Sequence, residues 1–326
     1  MRAPERVGVL VMAHGTPAST AQIEAFYTRI RRGHAPSPEQ LADLEQRYDA
    51  IGGVSPLAAR TAAQVEALAT ALESAEPGRF VVRFGAKHTT PFIEEAAAGL
   101  CELGVTRVIG IVLTPHRSSL GSGEYLGRAG VALAEGSTPP IFVPIEQWYN
   151  AAGFADLLAE RVHDALGSLG GPGPDGGSRV VVFTAHSLPE RVVTAGDPYV
   201  DQMEASASLV AEAAHLEAEH TAWRVAWQSA GRTPEPWIGP DLLSVLRSLP
   251  GDGVGAAVVC PIGFVADHLE VLFDLDIEAR EVAEKAGLAF ARTASLNDDP
   301  RFVDILAAAV RAAVNDPGAT PDLKGR

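Results

Sequence analysis

Three carboxylates recur at every fourth residue in the C-terminal part of the chain: Glu270, Asp274 and Glu278. A helix that starts near Asp267 would carry all three along one stripe. Such a stripe often faces water, so a solvated acidic face is one interpretation. The other is that the carboxylate oxygens lead a hydrated divalent cation into an interior cleft, because such ions prefer oxygen ligands.

The position of these acids favours the second interpretation. The apolar run Val254–Cys260 predicts a buried strand, and His268 and Glu270 follow its end. Ligands of open α/β sheets bind beyond the carboxyl ends of the strands. His186 follows another predicted strand, 180–183, as either a structural histidine or a partner of Glu270. Imidazole and carboxylate together suit proton transfer and the binding of ferrous or similar ions.

The same pattern occurs twice in the chain. Val7–Met12 predicts a strand that ends in AHGTP, and residues 180–183 lead into AHSLP. His14 therefore takes the place in the first half that His186 takes in the second. Similarity over so long a period predicts a duplicated unit, whose two halves would present these imidazoles to a cleft from opposite sides.

Strand and helix patterns alternate between these points. Further strands are predicted near residues 80–85, 107–113, 140–144, 222–228, 254–260 and 287–291. Helical patterns cover residues 38–50, 57–72, 92–103, 154–166, 200–216, 241–249 and 302–314. This order predicts an α/β protein with two parallel four-stranded sheets, each flanked by helices.

The length of 326 residues suits two domains of about 150 residues each. We place the boundary near residue 150, which gives domains 1–149 and 150–314 and a polar tail, 315–326, that we expect to be flexible. The last helix is a candidate to cross back to the first domain. Gly167–Ser178 (GSLGGPGPDGGS) is either a linker or a long loop inside the second domain.

Composition excludes several classes of partner. A net charge of -15 repels nucleic acid and anionic membrane surfaces. The two cysteines, Cys101 and Cys260, cannot supply four thiolates, so no iron–sulfur cluster is expected and packed thiols are predicted. No apolar run reaches the ~20 residues of a membrane span, and the start of the chain is unlike a signal peptide. We therefore expect a cytoplasmic protein without membrane insertion.

A basic cluster stands out on this acidic chain. It consists of Arg29, Arg31, Arg32, His34 and Arg47. It is either a charge-balanced helix surface or a set of guanidinium groups for carboxylates or phosphates, which arginine binds in a bidentate manner. The turn that follows places Ser55 at a helix N-cap and Pro56 at the first helical position, and its backbone N–H groups can also face an anion.

The glycines around Tyr125 do not form a dinucleotide motif. GSGEYLG has the spacing G-x-G-x-x-x-G, one residue longer than the fingerprint, and no predicted strand runs into it. Tyr125 is then either a core residue or an aromatic hydroxyl near the cleft.

Over nearly its whole length the chain resembles the ferrochelatase family, and most closely the coproporphyrin ferrochelatases of Gram-positive-type bacteria. The matching stretches are VLVMAHGTP, RYDAIGGVSPLAARTAAQ, GAKHTTPFIEEA, TAHSLPERV, GDPYVDQ, WQSAGRTPEPWIGPD and PIGFVADHLEVLFDLDIEA. The resemblance implies two similar Rossmann-like domains with a porphyrin cleft between them. It also implies insertion of Fe²⁺ into coproporphyrin III in haem biosynthesis, with no cofactor beyond the Fe²⁺ substrate.

The resemblance also implies roles for individual residues. His186 and Glu270 would be the catalytic and iron-binding pair, and Asp274 and Glu278 a path of further metal-binding carboxylates. The porphyrin-binding positions would be His14, Arg31, Arg47, Tyr48, Ser55 and Tyr125. The relatives often carry tyrosine in place of His14, so the axial ligand of the product would change from a phenolate to a neutral imidazole.

Other functions stay open at this point. The alternatives are a protoporphyrin IX ferrochelatase, a cobalt or nickel chelatase for a more reduced tetrapyrrole, and a haem or porphyrin carrier that is not an enzyme. Coproporphyrin has more carboxylates than protoporphyrin, which fits the basic cluster. The expected partners are porphyrin and Fe²⁺, with other haem-pathway enzymes as candidates for substrate hand-over, and we expect a monomer.

Overall fold

The computed structural model describes residues 6–170, 177–231 and 233–315. The first half of the chain forms a parallel four-stranded sheet with the order β2-β1-β3-β4. Its strands are β1 (Val7–Ala13), β2 (Phe80–Ala86), β3 (Arg107–Val112) and β4 (Ile141–Ile145). Ala13 lies beside Ala86 and Met12 beside Val112, so the carboxyl ends of β1, β2 and β3 meet at one edge.

The second half repeats this topology. Its strands are β5 (Ser178–His186), β6 (Ala222–Gln228), β7 (Val254–Cys260) and β8 (Ala289–Arg292). They are parallel and have the order β6-β5-β7-β8, which matches the first sheet strand for strand. The predicted α/β fold with two similar four-stranded parallel sheets is confirmed.

Helices cover the two sheets. They are α1 (Ile23–Ile30), α2 (Pro38–Ala50), α3 (Leu57–Ala75), α4 (Ile93–Glu102), α5 (Ser122–Ala134), α6 (Phe154–Ser168), α7 (Glu190–Thr194), α8 (Tyr199–Ala213), α9 (Leu242–Ser248), α10 (Leu269–Leu272), α11 (Arg280–Lys285) and α12 (Pro300–Asn315). Each of the seven helical patterns listed from the sequence is present, with ends that differ by a few residues.

The start of α2 is fixed by a capping box. The Ser37 hydroxyl accepts a hydrogen bond from the Gln40 backbone N–H, and the Gln40 side chain accepts one from the Ser37 N–H. Pro38 occupies the first helical position, where its missing N–H costs nothing. These contacts set the phase of α2, whose C-terminal part places Arg47 and Tyr48 at the cavity described below.

Helices α1 and α5 were not predicted. The buried residues of α1 are Ile23 and Phe26, too few to give a clear apolar period. Helix α5 contains Gly123, Gly127 and Gly130, and glycine lowers helix propensity by about 1 kcal/mol relative to alanine. Both helices form because tertiary packing overrides these weak local signals.

The regular helix predicted from Asp267 is wrong in its detail. Helix α10 is followed by a π-helical turn, Asp274–Ala279, before α11 begins. A π turn widens the helix and shifts the phase of the residues after it. Consequently the acids differ in environment: the side chain of Asp274 is 7% exposed and that of Glu278 is 40% exposed.

The two halves share an apolar core. Val9 and Ile111 of the first sheet belong to the same buried cluster as Phe183 and Cys260 of the second. Helix α12 packs on α3, β3 and β4 as well as on α6, so the last helix touches both halves. The boundary near residue 150 falls between β4 and α6 and stays a prediction.

Two predicted segments lie partly or wholly outside the described residues. These are 171–176, within the glycine-rich stretch, and the tail from 316 onward. In the described part of the chain, no helix combines the length and the apolar character needed to cross a membrane. Cys101 and Cys260 are both free thiols, and burial raises the pKa of Cys260 to about 12, which fits the predicted packed thiol.

Candidate active site between the two halves

A cavity of about 750 Å³ lies between the two halves. Its walls are formed by residues that follow β1, β2 and β3 of the first sheet and β5 and β7 of the second. Parallel sheets bind ligands at this edge, and the volume is typical of a small-molecule site. Both halves contribute, as the duplicated sequence pattern predicts.

His186 and Glu270 meet on the wall of this cavity. His186 is the last residue of β5, and its Nε2 lies 3.5 Å from Oε1 of Glu270. Gly263 makes the approach possible, since a Cβ there would lie 2.5 Å from the Cβ of Ala185. The loop after β7 therefore packs directly on β5 and holds the two side chains together. Each is about one third exposed, His186 at 34% and Glu270 at 32%.

The two groups shift each other's protonation. Burial opposes the charged form of His186, but the charge and hydrogen bond of Glu270 outweigh it, and the pKa of the imidazole is raised. Burial likewise opposes the charge of Glu270, but His186 and then His268 hold the pKa of its carboxyl well below the usual range. Nε2 of His268 lies 3.6 Å from Oε2 of Glu270. Both shifts favour the imidazolium–carboxylate form of the pair.

The His186–Glu270 pair offers two protein ligands to a cation. Within the described ranges, no group of three or more His, Cys, Asp or Glu side chains is arranged to hold a metal ion. An ion on His186 and Glu270 would keep positions open for water or for the atoms of a second substrate. Open coordination is typical of sites where a metal reacts, whereas structural sites are closed.

The other two predicted metal ligands are placed apart from this pair. Asp274 and Glu278 do not line the cavity; Nη2 of Arg47 lies 3.1 Å from Oδ1 of Asp274 and 3.7 Å from Oε2 of Glu278. The Ser229 hydroxyl also donates to Asp274. Burial and the charge of Glu270 raise the pKa of Asp274 to about 6, although Arg47 and Ser229 oppose the shift.

Five of the six predicted porphyrin-binding residues line the cavity. They are His14, Arg47, Tyr48, Ser55 and Tyr125. Arg31 does not line it: its guanidinium lies over the Tyr27 ring and donates to the backbone oxygen of His34. Its neighbours Arg29 and Arg32 line the cavity instead. The basic cluster is thus at the cavity, but through Arg29 and Arg32, two residues before and one residue after the predicted contact.

Sequence reasoning missed several cavity residues. Lys87 and His88 follow β2 as His14 follows β1, so the strand-end rule applied to this strand would have found them. Tyr199 begins α8, and its hydroxyl donates to the backbone oxygen of His186 at 3.0 Å. Nothing in the local sequence marks Tyr199, because its role depends on how α8 packs on β5.

His116 is a further unassigned histidine of the cavity wall. It is 1% exposed, its ring is stacked on Tyr149 with centroids 5.5 Å apart, and Tyr199 contacts its edge. Burial lowers its pKa to about 3, so the imidazole is neutral. Among the described residues, neither ring nitrogen has a hydrogen-bond partner.

The fold and the site agree with the class to which the protein belongs: the chain is a member of the ferrochelatase family, whose sequence model, described as Ferrochelatase, matches residues 6–314. Its similarity is closer still to particular members. It is 43% identical over 310 residues to the coproporphyrin III ferrochelatase of Geobacillus thermodenitrificans, covering 94% of this chain and 96% of the relative. It is 40% identical over 314 residues to coproporphyrin III ferrochelatase 2 of Bacillus cereus, covering 96% of both chains.

Solved structures of other chelatases share the fold. SirB from Bacillus subtilis with Fe³⁺ aligns with a TM-score of 0.55 at 14% identity, over 95% of this chain and 97% of that chain. The sirohydrochlorin chelatase SirB in complex with cobalt, from Bacillus subtilis subspecies spizizenii, aligns with a TM-score of 0.51 at 12% identity, over 96% and 97%. At such identities the likeness concerns the fold alone.

Proposed function

We propose that this chain inserts Fe²⁺ into coproporphyrin III to form Fe-coproporphyrin in haem biosynthesis. The observation that carries the proposal is the His186–Glu270 pair on the wall of a cavity that both halves enclose. The similarity to coproporphyrin III ferrochelatases over nearly the whole chain supports the same reaction. Fe²⁺ and the porphyrin are its substrates.

The reaction requires the His186–Glu270 pair to accept protons and to bind the ion. Metal insertion forms iron–nitrogen bonds and releases the protons of the pyrrole N–H groups, so a base must accept protons while the ion loses water. His186 serves as proton acceptor or as the group that hands over iron, and Glu270 ligates the ion or takes the proton onward. Both roles need a neutral imidazole at the moment of transfer.

Asp274 and Glu278 are the proposed continuation of the metal path. Their carboxylates are not part of the cavity wall: the side chain of Asp274 is buried and that of Glu278 is partly exposed, and Arg47 partly neutralises both. A cation that approaches this row must therefore compete with the guanidinium of Arg47. Movement of that side chain would expose both acids.

The porphyrin would contact both walls. His14, Tyr48, Ser55 and Tyr125 present aromatic and hydroxyl groups for the macrocycle, and Arg31 and Arg47 are proposed partners of its carboxylates. The additional cations at the cavity are Arg29, Arg32, Lys87 and Arg128. This number of cations favours the more highly carboxylated coproporphyrin over protoporphyrin IX, since each carboxylate gains from a charge-assisted hydrogen bond. A monomeric state, a cytoplasmic location and hand-over from other haem-pathway enzymes are further parts of the proposal.

An anaerobic assay with Fe²⁺ and metal-free porphyrin tests the proposal. We expect loss of the free porphyrin spectrum, faster with coproporphyrin III than with protoporphyrin IX, and a loss of activity of about 10²-fold or more in His186→Ala. The matched control is His163→Ala, since His163 also faces a glutamate, Glu219 at 3.8 Å, but on the outer surface. Binding of Fe-porphyrin without insertion would identify a carrier, and insertion of only cobalt or nickel would identify another chelatase.

A further inference from the structure

Two histidines lie side by side on the cavity wall of the first half. His14 follows β1 and His88 lies two residues beyond β2, and these strands are neighbours in the sheet. The backbone N–H of His88 donates to the backbone oxygen of His14 at 3.1 Å, which continues the strand pairing. The ring centroids are 4.6 Å apart and the rings are tilted by 54°. The backbone thus fixes the spacing of two imidazoles that both face the cavity.

The hydrogen bonds leave ring nitrogens available. Nδ1 of His14 lies 3.1 Å from the backbone oxygen of Gly15, which can only accept, so Nδ1 carries the proton and Nε2 keeps its lone pair. Ligating histidines commonly donate their other N–H to a carbonyl in this way. Among the described residues, the ring of His88 has no hydrogen-bond partner, and neither ring nitrogen is a buried atom. His88 lines the cavity.

The charges around the His14 and His88 rings are compatible with the binding of a cation. Burial first, and then neighbouring positive groups, lower the pKa of His88 to about 3, and burial lowers that of His14, so both rings are neutral. Two of the nearby cations are paired with carboxylates, Lys87 with Glu124 at 2.9 Å and Arg128 with Glu94 at 2.7 Å, and a third, Arg29, lies over the Phe92 ring. Glu270 contributes a negative potential at His14.

The ring spacing matches two ligands of one ion. A metal held about 2.0–2.1 Å from an imidazole nitrogen lies roughly 3.2 Å from the ring centre, so two rings bound at right angles have centres about 4.5 Å apart. The observed separation of 4.6 Å is close to this value. We propose that His14 and His88 form a second binding site for a divalent first-row transition-metal ion, on the opposite half from His186 and Glu270. Two imidazoles select Zn²⁺, Co²⁺, Ni²⁺ or Fe²⁺ over Mg²⁺ and Ca²⁺.

The site has a consequence that rests on the proposed function. An ion on His14 stands in the cavity where the macrocycle would lie, so the two exclude each other. Metal-free porphyrin should then displace this ion, and a high metal concentration should inhibit the enzyme competitively with porphyrin.

Titration of the full chain with Co²⁺ tests the site without any turnover. We expect two imidazole-bound ions per chain in the wild type, identified by visible absorption and counted by calorimetry, and one such ion in each of His88→Ala, His14→Gln and His186→Ala. The double variant His88→Ala/His186→Ala should bind no imidazole-bound ion. Thermal unfolding of each variant checks that it is folded. If His88→Ala does not fold, His14→Gln tests the same site.

A stoichiometry of one ion that is abolished by His186→Ala and unchanged by substitution of both His14 and His88 would overturn the proposal. Equal binding of Mg²⁺ at the His14–His88 site would overturn it as well, because imidazole ligation would then be absent. Either result would leave the proposed iron insertion standing. Conversely, two ions in a chain that fails the insertion assay would remove the proposed function and keep this site.

Discussion

Arg47 reaches from α2 of the first half to the π turn of the second, where its guanidinium donates to Asp274 at 3.1 Å. The same group lies 4.7 Å from the centre of the Phe273 ring and 3.7 Å from Glu278. A residue proposed to bind a substrate carboxylate thus contacts two carboxylates of the protein itself. In the proposed function, the porphyrin carboxylates would therefore compete with Asp274 and Glu278 for one guanidinium.

Arg47→Ala should weaken porphyrin binding. Loss of one charge-assisted hydrogen bond, about 1.5–3 kcal/mol, corresponds to roughly a 10- to 100-fold rise in the Kd for coproporphyrin, measured by fluorescence quenching. The control is Arg60→Ala, which removes an arginine that faces Asp298 at 3.5 Å and does not line the cavity. Equal Kd values for Arg47→Ala and the wild type would remove Arg47 from the set of porphyrin contacts.

The sequence predicts the fold well because its two signals, the apolar runs and the repeated Ala-His motif, can each be recognised within a short stretch. Apolar runs such as Val254–Cys260 give the strands, and the repeated Ala-His motif gives the duplication that places His14 and His186 in facing halves. The pairing of His186 with Glu270 could also be anticipated, since both follow strand ends of one sheet.

What could not be predicted depends on side chains from distant parts of the chain. Arg47 and Asp274 are 227 residues apart, and no periodic pattern indicates that they meet. The π turn arises within a sequence that looks like an ordinary amphipathic helix, so the different burial of Asp274 and Glu278 follows only from packing.

Activity should rise with pH through the neutral range. Although burial opposes its charge, Glu270 raises the pKa of His186 above 6.5, so at neutral pH the imidazole is mostly protonated and cannot accept a proton or ligate iron. Deprotonation at higher pH restores the reactive form, and kcat/KM should increase accordingly. In Glu270→Gln the charge that raises this pKa is absent, and the rise should move to lower pH while the maximum falls. A profile that keeps its position in Glu270→Gln would show that another group titrates.

Asp267 should stabilise the loop that carries His268. Its carboxylate accepts from Ser295 at 2.7 Å and from Asn297 at 2.9 Å, and Arg292 lies 3.6 Å away. Burial opposes the charge, but these partners outweigh it and lower the pKa below the unfolded value of 3.8. The stabilisation is therefore present above that value and is lost as pH falls through the folded pKa.

Asp267→Asn is consequently expected to lower the free energy of unfolding by about 1–3 kcal/mol at pH 7, with a smaller difference from the wild type near pH 3. Urea unfolding at both pH values measures this. Asp298→Asn is the control, because the Asp298 side chain is 47% exposed and its ion pair with Arg60 should contribute at most about 1 kcal/mol. A loss that is the same at pH 7 and pH 3 would mean that the charge of Asp267 is not what stabilises the loop.

Gly263→Ala should disturb the site, because the new methyl group would push the loop after β7 away from the end of β5. The new methyl group would lie 2.5 Å from the Cβ and 2.9 Å from the Cα of Ala185, next to His186, so backbone has to move. Overpacking of this kind costs about 1–3 kcal/mol of stability, and the displaced loop carries Glu270 away from His186. We expect a lower melting temperature together with a loss of kcat.

Gly127→Ala is the matched control: its Cβ would meet nothing within 4 Å on α5, and alanine should stabilise that helix by about 0.5–1 kcal/mol with kcat unchanged. Full activity in a destabilised Gly263→Ala variant would show that the His186–Glu270 distance tolerates this movement.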